Sequence, residues 1–297
     1  MLDSILAPPA SIPGLEARVA VALVFCAAAA YYDFRNNKWV PNWLVYGSVA
    51  AAVLANIIFF DPAIFVQAMA FGIAVFILTY PLYKLGQIGG ADCYLMASIA
   101  TLLPYLPRSL LGWENTSPYP FLLSVLVPTG VLFILHMLAR FLPYISRQLS
   151  QGKVHFARND LLGAAALLSF VCIFIYAASS MPIFLPPSYF AAVSFLTVAM
   201  VFFSVFKTQI KDSMAQEVKV EKLQEEDVLA LEKMDRSLIK KLKLSAVLDA
   251  RSISELKTAK IKSVPVYTGM PFFLPYLFLG LLISVLFGDL LSYLIRV

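Results

Sequence analysis

Long apolar runs separated by short polar links set the pattern of this chain. Eight runs stand out: Leu15–Tyr32, Asn42–Phe60, Ala63–Leu85, Cys93–Leu111, Tyr119–Phe141, Leu161–Ser179, Pro187–Phe206 and Met270–Ile295. A helix needs about 20 mostly apolar residues to cross the hydrocarbon layer. The pattern therefore predicts an all-α fold, a polytopic membrane helix bundle of about eight spans. Prolines interrupt it in two places, Pro104 and Pro107 in the fourth run and Pro182, Pro186 and Pro187 between the sixth and seventh. An interior proline removes a helical hydrogen bond and kinks the helix, a defect that neighbouring helices in a bundle tolerate.

One stretch breaks the rhythm. Lys207–Thr268 holds thirteen basic and ten acidic residues and no glycine. Within it Val220, Leu223, Leu229, Leu231, Met234, Leu238 and Leu242 recur mostly at three- and four-residue steps, which predicts amphipathic helix. The expected division is a bundle over 1–206, a small polar helical insert over 207–268, and a final span within 269–297. The insert could serve as a docking site or lie on anionic headgroups. Acidic Glu225, Glu226 and Asp227 argue against a uniformly basic face beside Lys240, Lys241 and Lys243.

Composition agrees with a bilayer environment. The chain is 60% hydrophobic and 14% charged, with a mean hydropathy of +0.80, against about 25% charged residues in ordinary soluble domains. The net charge of +5 is not a nucleic-acid footprint, because the basic residues gather in alternate links. Those links carry Arg35 and Lys38, then Lys84, then Arg140, Arg147, Lys153 and Arg158, then the insert. The intervening ones carry only Arg18, Arg108 and Arg296. By the positive-inside rule the rich set is cytoplasmic and both termini lie outside, and an even number of spans agrees by placing both termini on the same side. The first run lacks the basic flank and cleavage site of a secretory signal and is expected to stay as a helix. Asn115-Thr116-Ser117 fits the N-glycosylation pattern in a link expected outside. Cys26, Cys93 and Cys172 are isolated, which fits small buried apolar residues and gives neither a disulfide framework nor a zinc site.

Acids near membrane helices carry the chemical information. An ionised side chain at the bilayer centre costs at least about 2.5–3.5 kcal/mol on insertion scales, so such residues mark functional sites. Asp3, Asp61 and Glu114 fall in exposed links, Glu16 and Asp289 near outer helix ends, and Asp160 where an anion favours a helix N-terminus. Asp33 closes the first run and Asp92 opens the fourth, in Gly89-Gly90-Ala91-Asp92. The deduced topology puts both at the cytoplasmic level on different helices. Two close carboxylates share one proton, which lets one act as base toward water while the other polarises an amide carbonyl. The glycines before Asp92 permit close backbone approach. Taken alone, Gly-Gly-Ala-Asp reads equally well as a turn and helix cap.

At these residues the chain resembles the type IV prepilin peptidases, in particular their archaeal branch of preflagellin and prepilin peptidases. That branch is related to presenilin and signal peptide peptidase in the GxGD aspartic peptidase group. The resemblance rests on Asp33 with Arg35 and Val40-Pro41-Asn42-Trp43, on Gly89-Gly90-Ala91-Asp92, and more loosely on Gly269-Met270-Pro271-Phe272. It covers Leu15 to about Leu111 well. Ala91 replaces the usual glycine and Tyr94 a frequent lysine; the bacterial branch's paired CxxC motifs are absent.

The resemblance implies Asp33 and Asp92 as the catalytic pair, an active-site loop of Gly89, Gly90 and Ala91, and neither cofactor nor metal. It also implies a pilin-like or archaellin precursor with a short basic leader as substrate, cut at the cytoplasmic face. Arg35, Asn42 and Trp43 are possible supports; their plainer roles are positive-inside anchor, helix cap and interfacial aromatic. His136 and His155 are assigned no chemistry.

Two other readings stay open. A presenilin-like peptidase would cut inside the substrate's apolar helix. A proton-linked transporter would use the two carboxylates as a relay, although the chain shows no internal repeat and its acids sit at helix ends.

Overall fold

Apolar runs in this chain become helices that reverse direction at short, capped links. A computed structural model of the protein describes residues 11–290, apart from 36–38, 112–118, 155, 157, 181–186, 226, 243, 260 and 269–270. Asn115-Thr116-Ser117, Gly269-Met270 and His155 lie outside the described residues.

The helices of the apolar part are α1 (Leu15–Arg35), α2 (Asn42–Ile58), α3 (Pro62–Lys84), α4 (Gly90–Leu102), α5 (Phe121–Ser150), α6 (Arg158–Ser180) and α7 (Pro187–Val205). Then come α8 (Lys207–Met214), β1 (Ala215–Lys219), α9 (Arg236–Leu242), α10 (Ala250–Thr258), β2 (Ser263–Tyr267) and α11 (Leu274–Phe287). Each of the eight expected apolar runs contains a helix. Among the described residues four helices are long and apolar enough to cross a membrane, or five if the pair Ala191–Val205 and Lys207–Met214, bent by 67°, counts as one span. Helices α2 and α11 are shorter apolar helices.

Helix α4 has 13 residues, a rise of about 20 Å, short of a hydrocarbon layer about 30 Å thick. The chain leaves it at Leu103, just before Pro104, whose carbonyl then accepts from Phe121 N–H at 3.0 Å.

The bundle core joins α1, α2, α4, α5 and α11 through Ala22, Ala29, Leu44, Ile99, Phe121 and Leu277, all buried. Small and hydroxyl residues bring these helices close, as expected where lipid removes the hydrophobic drive between them. Ser48 and Ser98 hydroxyls meet at 3.0 Å between α2 and α4. Ser284 Oγ donates to Ser124 O at 2.9 Å between α11 and α5. A Cβ at Gly280 would lie only 2.0 Å from Thr129 Oγ1, so the α5–α11 contact requires a residue without one.

Arg18, counted among the few basic residues of the outer links, is fully buried. Its guanidinium donates to Pro13 O (3.0 Å), Asn56 Oδ1 (2.9 Å), Leu102 O (3.2 Å) and Phe59 O (3.3 Å). It thereby supplies donors to carbonyls left over where α2 and α4 end. Asp61, expected as a solvated loop acid, caps α3 by accepting from Ala63 N–H and Ile64 N–H at 3.0 and 3.1 Å. Asp289, near the same end, is buried and accepts from Tyr119 O–H. Cys26 and Cys93 are buried as expected, whereas Cys172 is exposed on α6.

The 207–268 segment departs from the helical expectation. Strand β1 pairs antiparallel with β2, from Ala215 opposite Tyr267 to Lys219 opposite Ser263. Leu229 then bridges Val266, and Val228 bridges Val247. The apolar residues read as one helical stripe come from a 3-10 turn at Val220–Lys222, an extended stretch at Val228–Ala230 and a second 3-10 turn at Leu231–Lys233. Only Arg236–Leu242 of that stripe is α-helix. The stripe is buried from several directions against Leu248, Leu256, Val264 and Val266, a core separate from that of the bundle. The missed signal is Ser263–Tyr267, rich in β-branched residues. Asp249 caps α10 by accepting from Ser252 N–H at 2.7 Å, and hydrogen bonds from the Ser252 side chain and backbone hold its carboxyl below the usual range.

Candidate active site

Four successive helix ends build the site: the end of α1, the start of α2, the end of α3 and the start of α4. Their alternation brings Asp33, Asn42, Lys84 and Asp92 to one end of the bundle, away from the Arg18 knot, which ties the opposite ends of α1, α2 and α4. A pocket of about 530 Å3 opens there, and Asp33 and Asp92 both line it. Both carboxylate residues are buried, 5% and 8% exposed, so charge at either is felt through little solvent.

The turn before Asp92 shows why glycine is needed. Helix α3 ends in a Schellman motif: Gly86 N–H donates to Tyr83 O at 2.8 Å and Gln87 N–H to Leu82 O at 2.9 Å, with Gly86 at φ 69°. Three residues later Gly89 N–H donates to Asp92 Oδ2 at 2.9 Å. Gly89 itself is extended (φ −73°, ψ 154°), which any residue adopts. The constraint is space, since a Cβ there would sit 3.1 Å from Asp92 Oδ2, close enough that the carboxylate would have to shift by a few tenths of an ångström. The cap reading of this motif and the site reading thus share one contact.

Of the possible supports, Asn42 lines the pocket, but as the first residue of α2 rather than as its cap; the cap position is Pro41, with no side-chain bond. Arg35 is exposed and turns to Tyr31, donating to its hydroxyl with the guanidinium 5.7 Å from the ring centre. Trp43 is exposed and packs edge-on against Tyr32 at 6.4 Å. Neither lines the pocket. Gly89, Gly90 and Ala91 all do.

Several pocket residues were not singled out in the sequence. Lys84, read there as an orientation cation, lines the pocket with its ammonium 5.4 Å and 5.2 Å from the ring centres of Tyr80 and Tyr83. Tyr94, at the position where a lysine is frequent, packs on Tyr46 at 5.7 Å and Phe76 at 5.2 Å. Phe133 of α5 and Pro271, Phe273 and Leu274 leading into α11 supply apolar wall, and Val228 and Val247 reach in from the 207–268 segment. Apart from Lys84, period-based reading could not find these, because each is an ordinary apolar or aromatic residue until the helices are packed. Among the described residues no group of three or more His, Cys, Asp or Glu could hold a metal ion.

The arrangement defines a class: a helical bundle rich in membrane-length apolar helices, with two carboxylates from separate helices in one pocket at its end. Within that bundle, residues 20–135 match the type IV leader peptidase family, the family that the motifs around Asp33 and Asp92 resemble. A relative is Prepilin peptidase EppA of Methanothermobacter thermautotrophicus, 30% identical over 142 residues. The match covers 44% of this chain and only 37% of that protein's length. No solved structure matches the chain.

Proposed function

We propose that this protein is a membrane aspartic endopeptidase that removes short basic leaders from pilin-like or archaellin precursors at the cytoplasmic membrane face. The observation that carries the reading is the shared pocket: Asp33 and Asp92 come from different helices and line one cavity of about 530 Å3, within the roughly 300–1,000 Å3 typical of ligand clefts. The family match over 20–135 includes both residues.

In this mechanism one aspartate is ionised and its partner protonated. The ionised carboxylate takes a proton from water as the water oxygen bonds to the scissile carbonyl carbon. The protonated partner donates to the carbonyl oxygen, giving a neutral tetrahedral diol. Collapse of the diol breaks the C–N bond. One hydroxyl proton returns to a carboxylate, and the other carboxyl proton passes to the leaving amine nitrogen. The coupled pair, rather than either residue alone, sets the pH dependence. Extended substrate backbone runs past Gly89, the cap of α4, and past Gly90 and Ala91, which are the first turn of that helix rather than the loop expected from the sequence, and Asn42 supports from the start of α2.

The proposed topology has eight spans with both termini outside. Residues 1–206 form the bundle that carries the pair, 207–268 a cytoplasmic unit, and 269–297 the final span.

Purified wild-type, Asp33→Asn and Asp92→Asn proteins, reconstituted with candidate precursors, provide the test, with products sequenced. Cleavage at the polar–apolar junction by wild type alone supports the reading. A cut several residues inside the apolar run would favour a presenilin-like intramembrane peptidase instead.

A further inference from the structure

The 207–268 segment reaches into the carboxylate pocket, although the family match ends at residue 135. Its contribution is specific. Along the extended stretch, Leu229 is buried in the segment's own core while Val228 is only half-buried and takes no part in that core. The same alternation holds at Leu248 and Val247, as expected of strands whose successive side chains point to opposite faces. The bridge between Val228 and Val247 carries Leu229 N–H to Ala246 O at 2.8 Å and Leu248 N–H to Asp227 O at 2.9 Å. This is the non-hydrogen-bonded pair geometry, in which facing side chains stand closest. Two valines are thereby presented as one apolar patch on the face turned away from the segment's core.

That patch lies against Gly86. A Cβ on Gly86 would meet Val228 Cγ1 at 3.0 Å and Val247 Cγ2 at 3.6 Å. The patch thus sits on the turn that leads into Gly89-Gly90-Ala91-Asp92. Resting on the peptidase reading, we propose that Val228 and Val247 form an apolar specificity subsite for a small aliphatic side chain of the precursor on the leader side of the scissile bond. The leader side follows from position. The segment is the highly charged part of the chain, with thirteen basic and ten acidic residues, and follows the apolar helices. It therefore faces the part of a precursor that has left the apolar layer. An uncharged patch within so charged a unit selects against charge at the residue it contacts.

The test uses the full-length protein reconstituted with a precursor panel in which each of the two leader residues before the cut is Ala, Val, Leu, Lys or Glu. Val228→Asp and Val247→Asp are expected to lower kcat/KM at least about tenfold for Ala or Val at one leader position. Lys at that same position should recover most of the loss. Neither side chain belongs to the segment's core. As a milder check, Val228→Ala should move the preference toward Leu by several-fold. Unchanged preferences in all three variants, or equal loss across the whole panel, overturn the subsite while leaving the peptidase reading intact. Wild-type protein that cuts no precursor, or Asp33→Asn and Asp92→Asn proteins that cut normally, overturns both.

Discussion

Gly89 and Asp92 are joined by a hydrogen bond from the glycine amide to Asp92 Oδ2 at 2.9 Å, and a Cβ on the same glycine would crowd that oxygen at 3.1 Å. One contact therefore starts helix α4 and orients a buried carboxylate. In the peptidase reading, Gly89→Ala tests orientation apart from backbone strain, because the backbone at this position suits any residue. The expected result is a fall in kcat of roughly tenfold to a hundredfold with unchanged membrane insertion, as for misplacement of a catalytic group. Retention of full activity would detach this contact from catalysis.

Replacing either carboxylate should be more severe. In the proposed mechanism Asp33→Asn and Asp92→Asn each remove the acid–base function, so cleavage should fall by at least about a hundredfold. Because the two act as one unit, the double variant should be little worse than either single one. Single-turnover cleavage of a reconstituted precursor measures both.

Arg18 provides a control at the other end of the bundle. Arg18→Met strands the acceptors at Pro13, Asn56, Phe59 and Leu102. The expected loss is about 2–3 kcal/mol of stability, read as a lower unfolding midpoint in detergent. Activity per folded molecule should stay near wild type, since the pocket lies at the opposite helix ends.

The 207–268 segment has its own pH dependence. Burial raises the Glu232 carboxyl, but hydrogen bonds from Lys211 and Tyr267 outweigh it and bring the group from 4.5 down to about 2. A carboxylate held low in the folded state adds stability that is fully present above its ordinary value. That stability is lost as pH falls from about 4.5 to about 2. The side chain is half-exposed, so the effect is modest. Glu232→Gln should make the segment more susceptible to proteolysis at pH 7, with the difference shrinking as acid reaches the wild-type protein. Thermolysin digestion at pH 7 and pepsin digestion across the acid range, each comparing variant with wild type by intact-mass detection of cuts in 215–267, measure it.

Much of the bundle is legible one residue at a time. Apolar runs give the helices because spanning a bilayer leaves the backbone no alternative but to satisfy itself. Asp33 and Asp92 stand out because acids are costly at the edges of such runs. The 207–268 segment was misread because Val220 and Leu223, and then Met234, Leu238 and Leu242, recur at three- and four-residue steps, while Leu229 is placed by non-local pairing with Val266 and buried against Leu248 and Leu256. The burial of Arg18 was not legible because most of its acceptors are backbone carbonyls, and a carbonyl has no sequence signature.

The sequence by itself determined a helical membrane-type chain, the two aspartates at helix ends, and the glycine turn before the second. Those follow from hydropathy and backbone sterics, which act locally. Only the tertiary structure decided that both aspartates line one pocket, that Lys84 and a row of tyrosines share it, and that two valines from a distant segment reach it. These depend on which helix ends and strands meet, and that is settled by packing among residues far apart in the chain.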